Sequence, residues 1–122
     1  MKLRRYTGEL NATLALQAIE AANPVNQTAF LIGQGELIAN VMGGMNIRKF
    51  NQAVAPANNS ALAGLAVYAA AQATELALSQ SLTGVPSHDD PILATLVSDI
   101  NAGIILNMEN LANVSRIYVL RA

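Results

Sequence analysis

The sequence predicts a mainly α domain: four helices around a central Ala-rich one, with short β-strands at both termini and near residues 45–51. Three observations carry that expectation. Asn59 to Leu82, NSALAGLAVYAAAQATELALSQSL, holds a single charge, Glu75, and places Ala at every third or fourth position. Asn23-Pro24, Gly43-Gly44 and Thr83-Gly84-Val85-Pro86 divide the chain at helix-compatible intervals. Leu93, Val97, Ile100, Ile104, Met108 and Leu111 recur at 4-3-4-4-3, which is the spacing of one helical face.

Taken in order, residues 2–7 (KLRRYT) are short, aromatic and basic, and read as extended. A first helix spans Gly8 to Ala22, with Leu10, Leu14, Ile19 and Ala22 on one stripe and Glu9 near its positive end. Asn23-Pro24 stops it, because the residue before proline avoids the helical region. A second helix starts at Asn26, faces Phe30, Leu37, Ile38, Val41 and Met42 inward, and closes at Gly43-Gly44. A strand over Thr28–Ile32 with a turn at Gly33–Gly35 is its rival. Residues 45–51 (MNIRKFN) read as extended, and Ala53 to Asn58, with Pro56, as a loop.

The central helix is about 36 Å long at 1.5 Å per residue, capped by Asn59 or Ser60 and ended by Thr83-Gly84-Val85-Pro86. It lacks a polar face, and a helix apolar all round is normally buried on every side. Next, Ser87-His88-Asp89-Asp90-Pro91 predicts a helix start with Asp90 as cap and Pro91 at the first helical position. That last helix runs to Ala112. Val114 to Leu120 is β-branched and aromatic, which predicts a C-terminal strand.

At 122 residues the chain is a single domain, 1–122. KLRRYT at 2–7 and NIRKFN at 46–51 share an order of residue types. They outline a weak strand–helix–helix repeat over 2–45 and 46–122. Charged residues make up 12%, about half the share of an average soluble domain, and the net charge is −1. Such a surface repels its own copies weakly, which points to cover by other subunits. No Cys is present, so disulfides, thiolate nucleophiles and Cys-ligated zinc are excluded. No apolar segment follows the basic start, so the chain is expected to be cytoplasmic as made. Membrane insertion of 59–82 is disfavoured, since Ala partitions weakly and Asn58, Asn59, Gln72 and Glu75 interrupt the run.

All seven basic residues lie in the three segments expected to be extended: Lys2, Arg4, Arg5, Arg48, Lys49, Arg116 and Arg121. All eight acids lie in helices or at helix starts. Brought together as a small sheet, Arg4, Arg5, Tyr6, Arg48, Lys49, Phe50, Arg116, Tyr118 and Arg121 would form a basic, aromatic patch. Such a patch would bind a neighbouring subunit's acidic helical face, or nucleic acid through phosphate contacts and stacking. Its bland counterpart is a set of edge-strand charges that block uncontrolled pairing. Dedicated nucleic-acid binders are usually basic overall, and this chain is not.

Catalytic signatures fail one by one. Gly33-Gln34-Gly35 hints at a dinucleotide loop, but Ile38 stands where the third glycine belongs. His88 is the only histidine, with no second His or Cys to complete a metal site and no Gly-x-Ser-x-Gly elbow for a triad. It reads as part of a solvated cap. Glu20, Glu36, Glu75, Asp99 and Glu109 are scattered singly along helices, and each reads as solvated or ion-paired. No catalytic residue, metal or cofactor is expected. The function expected is that of a non-enzymatic structural subunit that self-assembles into a homo-oligomeric particle with other structural proteins. A bacteriophage virion component (capsid, connector or tail protein) is the foremost case. The alternatives are a nucleic-acid-binding module, a pilin-like membrane subunit, and a small enzyme with its site between subunits.

Overall fold

The computed structural model describes the backbone of residues 4–54 and 61–121, and the side chains of 8–54, 64 and 66–105. Four helices follow one another: α1 (Arg4–Ala21), α2 (Gln27–Val54), α3 (Ala61–Gln80) and α4 (Pro86–Arg121). They pack as a ring in which α1 touches α2 and α4, and α3 touches α2 and α4. Gly33 of α2 lies against Leu16 and Ile19 of α1, whereas Gly8 of α1 lies against Asn40. These two contacts make α1 and α2 antiparallel. Gln34 of α2 meets the end of α3 at Ser79 and Leu82, and Arg48 meets Gln72, so α2 and α3 are antiparallel too. This is the up-down-up-down order that short connections impose on a four-helix bundle.

The ends of the helices follow local chemistry. α1 stops before Asn23-Pro24. Asn26 caps α2, its Oδ1 accepting the Ala29 N–H at 3.0 Å. α3 stops before Thr83-Gly84-Val85-Pro86, where Gly84 takes a φ of 82° that other residues rarely adopt. Pro86, not Pro91, is the first residue of α4, a position where a missing N–H is harmless. Asp90 is therefore exposed inside the helix and does not cap it.

None of the expected strands exists among the described residues. Arg4–Thr7 belongs to α1, 45–51 to α2, and 114–120 to α4. Gly43-Gly44 does not close α2, because the inward stripe Phe30, Gly33, Leu37 and Val41 continues through Met45 to the half-buried Arg48 and Gln52. A helix already nucleated extends at little cost. The β-branched residues near the C-terminus resist it by only a few tenths of a kcal/mol each. The rival strand at Thr28–Ile32 is likewise helical. Of the loop expected at Ala53–Asn58, the first two residues end α2, and the remainder lies outside the described residues, as does the Asn59 or Ser60 cap.

The core is aliphatic where α1, α2 and α4 meet: Ala12, Leu16, Phe30, Leu37, Val41, Leu93, Leu96 and Ile100, closed at one end by Leu82. Leu14 and Met42, expected inside, are about half exposed. On α1 the enclosed residues are instead Glu9, Ala12, Thr13, Leu16 and Glu20. α3 is the most unusual element. Among its described residues the buried ones are Tyr68, Gln72, Glu75 and Ser79. Its exposed flank comprises Ala66, Val67, Ala70, Ala73, Thr74, Ala77 and Gln80. One copy of the chain therefore leaves a flank of this helix uncovered and uncharged.

Candidate functional site

The basic and aromatic residues picked out from the sequence do not come together as a sheet among the described residues. Arg4, Arg5 and Tyr6 fall in the first turn of α1, Arg48, Lys49 and Phe50 in the later part of α2, and Arg116, Tyr118 and Arg121 in the last turns of α4. The antiparallel pairing of α1 and α2 puts the first two groups at the same end of the bundle. The side chains of Arg4, Arg5, Tyr6, Arg116, Tyr118 and Arg121 lie outside the described ones. Arg48 is turned into the bundle: its Nε donates to Gln72 Oε1 at 2.8 Å and its Nη1 to Gln52 Oε1 at 2.7 Å. Lys49 and Phe50 are exposed.

What the bundle does assemble is a polar seam that single-residue inspection missed. Glu9 of α1 and Glu75 of α3, on diagonally opposed helices, are each 1% exposed and face one another. Gly44 of α2 makes room for them. A Cβ there would stand 3.2 Å from both Glu9 Oε1 and Gln72 Nε2. Burial, then the Glu75 charge and its hydrogen bond, push the Glu9 carboxyl up to about 9. Burial also raises Glu75, to about 7, against the hydrogen bond that Glu9 donates and together with the Asp99 charge. The buried pair thus keeps a proton well above the ordinary carboxylate range, and the two groups titrate as one unit. Apart from one another, the Glu9 oxygens and Glu75 Oε2 have no hydrogen-bond partner, and Gln72 Nε2 has none.

A second pair closes one end of the bundle. Asp89, fully buried near the start of α4, accepts the Gly84 N–H at 2.8 Å, the Thr83 N–H at 3.0 Å and a contact from His88 Nδ1 at 2.8 Å. Burial alone would raise its carboxyl, but the His88 ring, those N–H groups and the Glu20 carboxyl outweigh it and hold it low. Glu20, at the end of α1, is buried against it. Burial first, then the hydrogen bond to Asp89 and the charges of Asp89 and Asp90, raise Glu20 to about 7. Glu20 therefore carries the proton and Asp89 the charge.

Chemically, the seam binds protons. With both members of the interior pair enclosed, no substrate reaches them unless the helices part. Among the described residues no group of three or more His, Cys, Asp or Glu could hold a metal ion. Nor, among them, is any helix long and apolar enough to cross a membrane. The one sequence signal for the seam was Glu75 itself, a lone acid in an otherwise uncharged helix. Compared with models of protein families, with curated proteins and with solved structures, the chain matches none of them.

Proposed function

We propose that the chain is a non-enzymatic structural subunit that self-assembles into a larger homo-oligomeric particle, of the kind a bacteriophage virion is built from. The observation that carries this reading is the inverted polarity of α3. Its one charge, Glu75, and the Gln72 amide are enclosed, whereas Val67, 62% exposed, heads a solvent-facing flank without a single charge. Leu31, Ile32 and Ile105 add large apolar side chains, each at least 59% exposed, to the outer surfaces of α2 and α4. Exposed apolar surface of this kind marks interaction sites, and a shortage of charge leaves little to keep copies apart. The small, Cys-free, Asn-rich composition supports a particle assembled in the cytoplasm.

Light scattering on a size-exclusion column tests it. A large oligomer that survives 0.5 M salt is expected, and Val67→Glu should break it while leaving the helical circular dichroism intact. A single peak at 12.8 kDa would overturn the proposal. Recovery only with detergent would move the reading to a pilin-like subunit on lipid. DNA or RNA binding that fades steeply between about 50 and 200 mM salt would move it to the nucleic-acid module.

A further inference from the structure

We propose that α1 is a proton-latched helix, held in the bundle by the Glu9–Glu75 and Glu20–Asp89 contacts and released when those two shared protons are lost. The geometry is specific to α1. Each contact has one member on this helix and the other on a different one, α3 or α4. Glu9 and Glu20 stand about three turns apart, on one face. Between them only Ala12, Thr13 and Leu16 are fully enclosed, with Leu10 and Ile19 partly so. α1 is also the shortest helix.

Among the described residues no cation offsets the interior pair. The charges acting on it are the two carboxylates themselves and Asp99 of α4, while Arg48 of α2 is engaged by Gln72 and Gln52. The charges acting on Glu20 belong to α4: Asp89 and Asp90 favour its protonated form, and His88 opposes them. Once both protons have gone, two like-charged pairs face each other in a desolvated interior, which is costly unless the helix carrying one of each moves out. α2 keeps ties to α3 and to the α3–α4 connection that do not titrate. Gln34 Nε2 donates to the Ser79 and Leu82 carbonyls, and Gln27 Nε2 to the Gly84 carbonyl. The latch does not depend on self-assembly, and its test reads one helix, not oligomer size.

The experiment is hydrogen exchange on the full chain from pH 5 to 9, corrected for the intrinsic base-catalysed rate. Protection over 8–21 should fall at least about tenfold more than protection over 86–100 as the pH passes from about 6 to 9. In the double variant Glu9→Gln with Glu20→Gln, each amide still donates to its partner carboxylate but has no proton to lose, so the excess loss should vanish. Parallel loss in the two helices of the native chain would overturn the proposal, as would an undiminished loss in the variant. Should the variant not fold, carboxyl-carbon NMR of the native chain decides. Glu9 and Glu20 must titrate well above the ordinary carboxylate range, and titration within that range overturns the latch.

Discussion

On α4, past Asp89 in its first turn, the enclosed positions are Leu93, Leu96, Ile100 and Gly103; on α3 they are Tyr68, Gln72, Glu75 and Ser79. α4 is an ordinary amphipathic helix whose aliphatic face supplies the core and whose polar face meets water. α3 is turned the other way. The difference lies in volume. An Ala methyl is too short to fill the space between helices packed to the density of protein interiors, whereas the stems of Gln72 and Glu75 reach across it. Their polar ends then need partners. Arg48 serves Gln72 and Glu9 serves Glu75, while Ser79 Oγ turns back on the Glu75 carbonyl at 2.7 Å. Polarity alone therefore does not decide which face of a helix is buried.

The largest expected effect tests the aliphatic side. Leu96→Ala should cost about 2–5 kcal/mol of unfolding free energy, the range for emptying a fully buried leucine site. Val67→Ala, the matching truncation on the open flank of α3, should stay within about 0.5 kcal/mol in a monomeric preparation. Urea denaturation measures both, and equal costs would break the comparison.

The polar side should show in pH dependence. Glu9, Glu20 and Glu75 bind protons more tightly folded than unfolded. Their contribution is fully present below about 4.5 and is lost as the pH rises through about 7 to 9, at up to about 1.4 kcal/mol per unit per group. Asp89 acts oppositely: its folded carboxyl is held low, so its contribution is present above about 3.8 and lost as the pH falls through its folded value. Denaturation midpoints should peak in mildly acidic buffer. Glu75→Gln should shrink the alkaline decline, whereas Leu96→Ala should lower the whole curve without changing its shape. A flat profile from pH 5 to 9 in the native chain would contradict the buried pairs.

The smallest effect separates two glycines of α2. A Cβ at Gly33 would lie 2.8 Å from Leu16 Cδ2, inside the core, so Gly33→Ala should lower stability by about 1–2 kcal/mol, net of its helix preference. At Gly35 nothing lies within 4 Å, and Gly35→Ala should raise stability by up to about 1 kcal/mol. Thermal melting of the pair is enough to read both signs.

Some of this was legible before any coordinates. The aliphatic stripe of α4 lies in consecutive turns and can be counted directly, and Leu93, Ile100 and Ile104 face the core as expected. The start of α2 near Asn26 and the stops at Asn23-Pro24 and Gly84 are matters of two or three neighbouring residues. The misread strands share one cause. Six or seven residues rich in β-branched and aromatic side chains look extended when the turns before them are ignored, and the basic sheet built on them fell with the strands. The stripe expected on α1 was displaced for a related reason. Its acids were read singly, Glu9 as a charge at the dipole's positive end and Glu20 as solvated or ion-paired, although both sit at the spacing that places them on Leu16's face.

What the sequence determined by itself is the number of helices, the stops of α1 and α3 and the face of α4, because periodicity, capping and proline geometry act within a few residues. The tertiary structure alone decided which face of α3 turns inward and which acids meet. Glu9 meets Glu75 only after two connections, and Glu20 meets Asp89 only after three, have folded the chain back on itself. The protons these pairs hold follow from that enclosure, since a carboxyl's charge is tolerated or refused by the surroundings that other helices supply.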